Sequence, residues 1–304
     1  MRRFALPAMF VALGLIWGSS FLWIKIAIGE LSPATLVAWR MTLGALPMLL
    51  LLPLIGRRLP RAPRELAPLA LLGLINTALP IFLISWGEQF IDSGTAAVLN
   101  SMAPLFSVVI AGVGLQTEPF TFVRVTGILL GLGGVVLLAS REFALRADPS
   151  SLIGVLAIAI AALSYAGGAS YARHHIKGMH RYEVAAGSLV FAAVYAWVLA
   201  LSVDGGIRLP TQPGPIIAVL WLGLIGSFVA YLLYFTLIEH YGATVSAMVT
   251  YLFPVVGVAL GVAFLGELLD LRLVLGAGLV VAGIVVVALR YDLLVRRQPG
   301  TEAQ

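Results

Sequence analysis

The chain contains no cysteine, and only 11% of its 304 residues are Asp, Glu, Lys or Arg. The first absence excludes disulfides, thiolate metal sites and cysteine nucleophiles. The second excludes an ordinary water-soluble surface, since soluble domains carry about a quarter of their residues as charges. Histidine is scarce too. His174, His175, His180 and His240 form no HExxH pair, and no Gly-x-Ser-x-Gly elbow is present, so hydrolytic chemistry has no carrier. No glycine cluster precedes Lys-Ser or Lys-Thr, which removes a phosphate loop. Neither a cofactor nor a metal is expected, and the chain is not expected to be an enzyme.

Long apolar runs fill the space. The sequence is 61% hydrophobic, with a mean hydropathy of +1.03. Crossing ~30 Å of hydrocarbon takes about 20 apolar residues at ~1.5 Å each. Ten such windows fit, at roughly 4–28, 34–55, 66–88, 93–115, 120–140, 151–173, 182–203, 215–239, 243–265 and 270–290. The first is read as a span, because its apolar stretch is too long for a cleaved leader. The gaps leave no room for a soluble domain. The expected class is an all-α integral membrane protein, whose macromolecular partner is the lipid bilayer.

Nineteen positive charges set an orientation. With the N-terminus in the cytoplasm, Lys25, Arg141, Arg146, Arg208 and Arg272 fall outside, Arg40 falls within a span, and thirteen fall inside. That is the positive-inside pattern. Both termini are then cytoplasmic, the expected location is a bacterial inner membrane, and the net charge of +5 is a topology signal. A nucleic-acid footprint would cluster on one folded surface, and none exists.

The sequence also repeats itself. Leu72-Gly73-Leu74-Ile75 returns as Leu222-Gly223-Leu224-Ile225, and Pro104 returns as Pro254, both at an offset of 150. Gly127, Gly134 and Arg141 reappear as Gly276, Gly283 and Arg290, one residue out of register. Trp17 is echoed by Tyr165. Each copy holds five windows, and an odd number makes the copies enter the membrane from opposite sides. Ten transmembrane helices as two inverted five-helix repeats follow, covering 4–141 and 150–290, with a short tail at 291–304. Inverted repeats of this kind build secondary transporters with a midplane site. The glycine pairs Gly14/Gly18, Gly127/Gly131 and Gly257/Gly261 are read as close helix packing.

Buried polar groups mark the candidate site, because leaving them unpaired in hydrocarbon costs several kcal/mol. Asn76 and Thr77 lie mid-span before Pro80, and Asn100 sits one turn before Pro104. Thr250 and Tyr251 hold the same place before Pro254. Ser227, Tyr231 and Tyr234 form one helical stripe at i, i+4 and i+7. Trp17 and Tyr165 add aromatic surface at similar depth. A central cavity lined by these groups would suit a zwitterion or modest amphiphile. The competing reading is interhelical hydrogen bonding and aromatic packing. Pro104 and Pro254 are expected to bend their helices and free the carbonyls of Asn100 and Thr250, giving either gates or fixed bends. Arg40, two turns into its span, needs a partner, and Glu88 and Glu30 lie on its side. Glu118 and Glu267 are read as caps on the helix that follows each. No carboxylate stands clearly at mid-span, so proton coupling has no obvious carrier.

Trp17-Gly18-Ser19-Ser20-Phe21, Pro33 and Trp39-Arg40 resemble the opening of the EamA repeat of the drug/metabolite transporter superfamily. Pro104, Glu118, Gly127 and Gly134 resemble its close, as do Tyr251-Leu252-Phe253-Pro254, Leu265-Gly266-Glu267, Gly276 and Gly283. The resemblance covers about 10–140 and 150–290, and Ser188 stands where Arg40 would recur. It implies ten helices, cytoplasmic termini and export of amino acids or related metabolites, by a monomer or homodimer. The alternatives are export of another metabolite or amphiphilic drug, a channel, or a membrane-embedded enzyme. Single-channel recording separates a pore from a carrier.

Overall fold

The computed structural model describes residues 2–110, 122–176 and 178–295. Every regular element among them is helical. The order is α1 (Arg2–Ala27), α2 (Pro33–Leu54), α3 (Pro63–Gly73), a π-helical segment (Leu74–Ala78), α4 (Leu79–Gly87), α5 (Ser93–Asn100), α6 (Ala103–Val109) and α7 (Phe122–Arg146). Then follow α8 (Ser150–His175), α9 (Arg181–Asp204), α10 (Pro213–Leu220), a second π-helical segment (Trp221–Val229) and α11 (Ala230–Ala247). A 3-10 turn (Met248–Leu252), α12 (Phe253–Leu265) and α13 (Leu271–Val295) close the chain.

Eight stretches of the described residues are long and apolar enough to cross a membrane, and two shorter apolar helices, Ser93–Val109 and Leu271–Val286, accompany them. Their outer faces are oily, with Leu50 70%, Leu54 82% and Val136 69% exposed. That surface is stable in lipid and costly in water. Helix starts follow their cap chemistry. Ser32 accepts from the Thr35 N–H ahead of Pro33, and Asp148 Oδ1 accepts from the Ser150 N–H at 2.8 Å. His180 and Glu183 form a reciprocal capping box at the start of α9. Helix α7 runs to Arg146, beyond the expected limit near 140, because Arg141 is held inside by partners described below.

Equivalent helices of the two copies pair with each other. Helix α7 packs along α13, and α2 along α9. Glycine makes the first approach possible: a Cβ on Gly283 would lie 2.5 Å from the Gly127 carbonyl, and one on Gly134 2.7 Å from that of Gly276. Gly14, Gly18 and Gly257 likewise leave no room for a side chain, as the packing reading of the glycine pairs requires. One apolar cluster joins α1, α5, α8 and α12 around Leu13, Phe21, Leu99 and Ile158. Another fills the α2–α9 contact with Met41, Met48 and Leu189.

Candidate functional site

Both copies break their α-helical ladder at the repeated Leu-Gly-Leu-Ile. The first π segment starts at Leu74, and the second contains all of Leu222–Ile225. A π turn inserts a residue and leaves a carbonyl out of line, a feature found mostly at functional positions. In each copy such a carbonyl is taken by the opposite copy. Trp17 Nε1 on α1 donates to the Gly226 carbonyl at 3.1 Å. Ser164 Oγ on α8 donates to the Ile75 carbonyl at 2.5 Å. Within the second segment Ser227 Oγ donates five residues back, to the Leu222 carbonyl at 3.0 Å. The first helix of each copy is thus tied to the third of the other.

Aromatic rings gather at the Trp17 contact. Its ring centroid lies 5.3 Å from that of Tyr234, 6.5 Å from Tyr231 and 6.4 Å from Phe253. The last two are edge-on, the arrangement ring quadrupoles favour. Arg40 is buried against this group, and its Nε donates to Ser227 Oγ at 3.3 Å. Tyr165 and Tyr231 are within its electrostatic reach. Asn76 is pressed against α8, where a Cβ on Gly168 would meet its Oδ1 at 2.6 Å. Thr77 faces Tyr231, yet its Oγ1 lacks a well-formed hydrogen bond. Asn100 Oδ1 and Ser188 Oγ are also buried without partners. Each such atom costs about 1–3 kcal/mol, and the cost is removed when a polar ligand or water arrives.

The structure thus brings Trp17, Tyr165, Ser227, Tyr231 and Tyr234 together around Arg40, with Asn76 and Thr77 on the adjoining π segment. Tyr251 packs on the apolar core beside them. Asn100 lies at the end of α5, outside the ring cluster. None of these residues lines the concavity between α2 and α9. That concavity holds about 380 Å³ and is an apolar groove between Thr42, Leu46, Val190 and Trp197 on the outside of the α2–α9 pair. In this conformation the aromatic and polar groups close on each other.

Two expectations are corrected. Arg40 does not pair with Glu88: it bonds Ser227, while neither carboxyl oxygen of Glu88 has a partner. Lys25 has taken the neighbouring acceptors, donating to the Glu88 and Ile91 carbonyls. Glu267 does not cap the helix after it. It accepts from Ser93 N at 2.6 Å and Gly94 N at 2.9 Å, the start of α5 in the other copy. The counterpart Glu118 lies outside the described residues. Arg141 is 1% exposed and paired with Glu142 at 2.7 Å, Asp92 at 3.1 Å and Asp270 at 2.8 Å. The prolines stand at breaks in their spans. Helix α5 ends at Asn100 and α6 begins at Ala103, with Pro104 in its first turn. Pro254 opens α12 after the 3-10 turn.

The Arg141 cluster belongs to a wider layer at the Lys25 end that sequence reasoning missed. Glu30 accepts from the Thr211 N–H and hydroxyl at 2.7 and 2.5 Å, and from Gln212 N at 3.2 Å. These bonds, the Thr211 hydroxyl first, hold its carboxyl below the usual carboxylate range. Ser32 and Thr35 donate to Asp204, each at 2.5 Å. Trp39 Nε1 donates to the Arg208 carbonyl at 2.9 Å. Each copy therefore offers a carboxylate to a helix start of the other, where free N–H groups and the helix dipole favour it.

The EamA-like transporter family matches this chain twice, over residues 6–140 and 152–289. An "Uncharacterized inner membrane transporter" of Escherichia coli K12 is 30% identical over 282 residues, covering 91% of this chain and 89% of the relative. An "Uncharacterized transporter" of Bacillus subtilis is 25% identical over 90% of this chain and 93% of its own length. A "Probable terminal-alkyne amino-acid exporter" of Streptantibioticus cattleyicolor is 26% identical over 89% of each. A solved crystal structure shares the fold, with a TM-score of 0.67 at 21% identity over 95% of this chain and 98% of that one.

Proposed function

We propose, on the premise that the chain belongs to the EamA-like transporter family, that it exports amino acids across the bacterial inner membrane by alternating access. The observation that carries this is the reciprocal tie between copies, Trp17 to Gly226 and Ser164 to Ile75, beside an aromatic, amide- and hydroxyl-bearing site around Arg40. Such a site suits a zwitterion: π-segment carbonyls can accept from the ammonium group, and Arg40 can meet the carboxylate. Phosphorylated substrates would need several such cations, and the site holds one.

The architecture in this reading is ten transmembrane helices as two inverted five-helix repeats, 4–141 and 150–290, with 291–304 as a cytoplasmic tail. Both termini face the cytoplasm, so the Lys25 end faces the periplasm. The layer of Glu30, Asp204, Glu267 and Arg141 is then the closed outer gate. In this reading the site is built within one chain, which acts as a monomer or homodimer. The exporter name of the Streptantibioticus cattleyicolor relative agrees with the substrate class. Export of another small amphiphile is the second reading, favoured by the density of rings around Trp17.

Counterflow in proteoliposomes tests it. Vesicles loaded with a neutral amino-acid mixture (threonine, methionine and phenylalanine) should accumulate the labelled amino acids from outside. Counterflow with lipophilic cations and none with amino acids would transfer the assignment to the second reading.

A further inference from the structure

Glu88 is the one acid in the described structure that is fully buried, 0% exposed, with both carboxyl oxygens free of hydrogen bonds. Buried acids elsewhere are satisfied: Glu142, also 0% exposed, bonds Thr95 at 2.5 Å and Arg141 at 2.7 Å. The contrast needs a reason, because an unpaired carboxylate out of water is among the most costly groups a protein can hold. A neutral carboxylic acid avoids that cost, and burial therefore favours the protonated form.

Its surroundings decide when that changes. The charged groups facing Glu88 are Lys25 on α1, Arg40 on α2 and Glu267 before α13. Lys25 is bound to the carbonyls of Glu88 and Ile91, not to the carboxyl. Arg40 bonds Ser227 in the candidate site. Glu267 caps α5 in the interlocked layer. Helix α8, packed on α4, brings Tyr165 and Tyr171 as its titratable groups and no charge between Ser150 and Ala172. Asp92, four residues on, is engaged by Arg141 and Arg146. Glu88 thus stands between the site and the closed layer, in contact through space with one cation of each and shielded from water by both.

We propose that Glu88 is a proton-binding site, occupied while the Lys25 end is closed and emptied when that end opens. Opening parts the layer and admits water. The carboxylic acid then gives its proton to that water, and the carboxylate left behind is balanced by Lys25 and Arg40. Closing requires a proton to return. Because the closed form binds the proton more tightly than the open form, closure is favoured at low pH and lost as pH rises. One linked proton changes the closed-to-open ratio by up to about tenfold per pH unit. Glu30 works in the opposite sense, since its depressed range loosens the layer only in acid.

The proposal rests on the Lys25 end being one of two alternating gates. With no native cysteine, labels can be placed singly. Spin labels at Phe143 and Ile207, 45% and 66% exposed on the two copies, report the opening of that end in lipid without any substrate. The expected result is a short distance at neutral pH and a long one that grows as pH rises. In Glu88→Gln the short distance should persist at all alkaline pH values. In Glu88→Asp the response should return with a shifted midpoint. Infrared difference spectra of the unsubstituted protein add a second reading: a protonated carboxylic C=O band at pH 7 that shifts in Glu88→Asp. An undiminished alkaline response in Glu88→Gln, or no protonated band at pH 7, overturns the proposal. Absent amino-acid counterflow would instead sink the substrate reading and leave both these results standing.

Discussion

The two ends of the bundle are held in different ways. At the Lys25 end the copies are cross-linked through Glu30 to Thr211 and Gln212, Ser32 and Thr35 to Asp204, Glu267 to Ser93 and Gly94, and Arg141 to Asp270. At the Arg57 end, Arg57 on the first copy lies 3.9 Å from Glu183 on the second, an exposed ion pair. The Arg181–Glu239 pair at 2.6 Å lies within the second copy. Charge-assisted bonds near 2.6 Å are strong, whereas an exposed pair near 4 Å contributes ~0–1 kcal/mol. The Lys25 end thus carries charge-assisted hydrogen bonds between the copies, and the Arg57 end an exposed ion pair.

The largest break in this contrast should come from Arg141. Replacing it with Met takes the cation from Asp270 and leaves the buried Glu142 with Arg146 alone at 3.5 Å, a loss of roughly 3–5 kcal/mol. Thermal unfolding in lipid should show a strongly lowered midpoint, and an unchanged midpoint would mean that the cluster is wet. Glu267→Gln comes next. It removes the charge from two N–H bonds that join the copies, worth about 1.5–3 kcal/mol. The Phe143–Ile207 spin-label distance should lengthen while the fold survives.

Substitutions in the site sharpen the comparison from the middle. Tyr231→Ala and Tyr234→Ala each remove an aromatic contact, at about 1–3 kcal/mol, or roughly 5- to 150-fold in transport. Normal counterflow with a lowered melting temperature would return both to packing. Pro104→Ala and Pro254→Ala should shift the facing equilibrium in opposite directions with little change in affinity. A shift of both in one direction makes the breaks scaffolding. The smallest effect belongs to Glu30. Its hydrogen-bonded carboxylate favours closure at neutral pH, and that contribution fades as pH falls through its depressed range. Glu30→Gln should abolish the acid response of the Phe143–Ile207 distance and leave the alkaline one.

The spans and the repeat were legible because apolar runs and matching glycines and prolines survive as letters. The ring cluster was partly legible, since Tyr231 and Tyr234 sit on one helical face and Trp17 at matching depth. The π segments were not, because a few residues at a wider turn leave no periodicity to detect. Their one trace was the repeated Leu-Gly-Leu-Ile. The polar layer at the Lys25 end was hidden by distance along the chain: Glu30 and Thr211 are 181 residues apart, and Ser93 and Glu267 174. Arg40 and Glu88 were paired on the sequence because charge alone suggested it. Backbone carbonyls for Lys25 and a hydroxyl for Arg40 were the partners the fold supplied.

The central claim is that the two ends open in turn around one site. Two label pairs test it in a single preparation: Phe143 with Ile207 at the Lys25 end, and Leu54 with Tyr241 at the Arg57 end, all 40% or more exposed. Adding the neutral amino-acid mixture to protein in lipid should move the two distance distributions in opposite directions, one shortening as the other lengthens. Distributions that move together, or that ignore the amino acids at both ends, would contradict it.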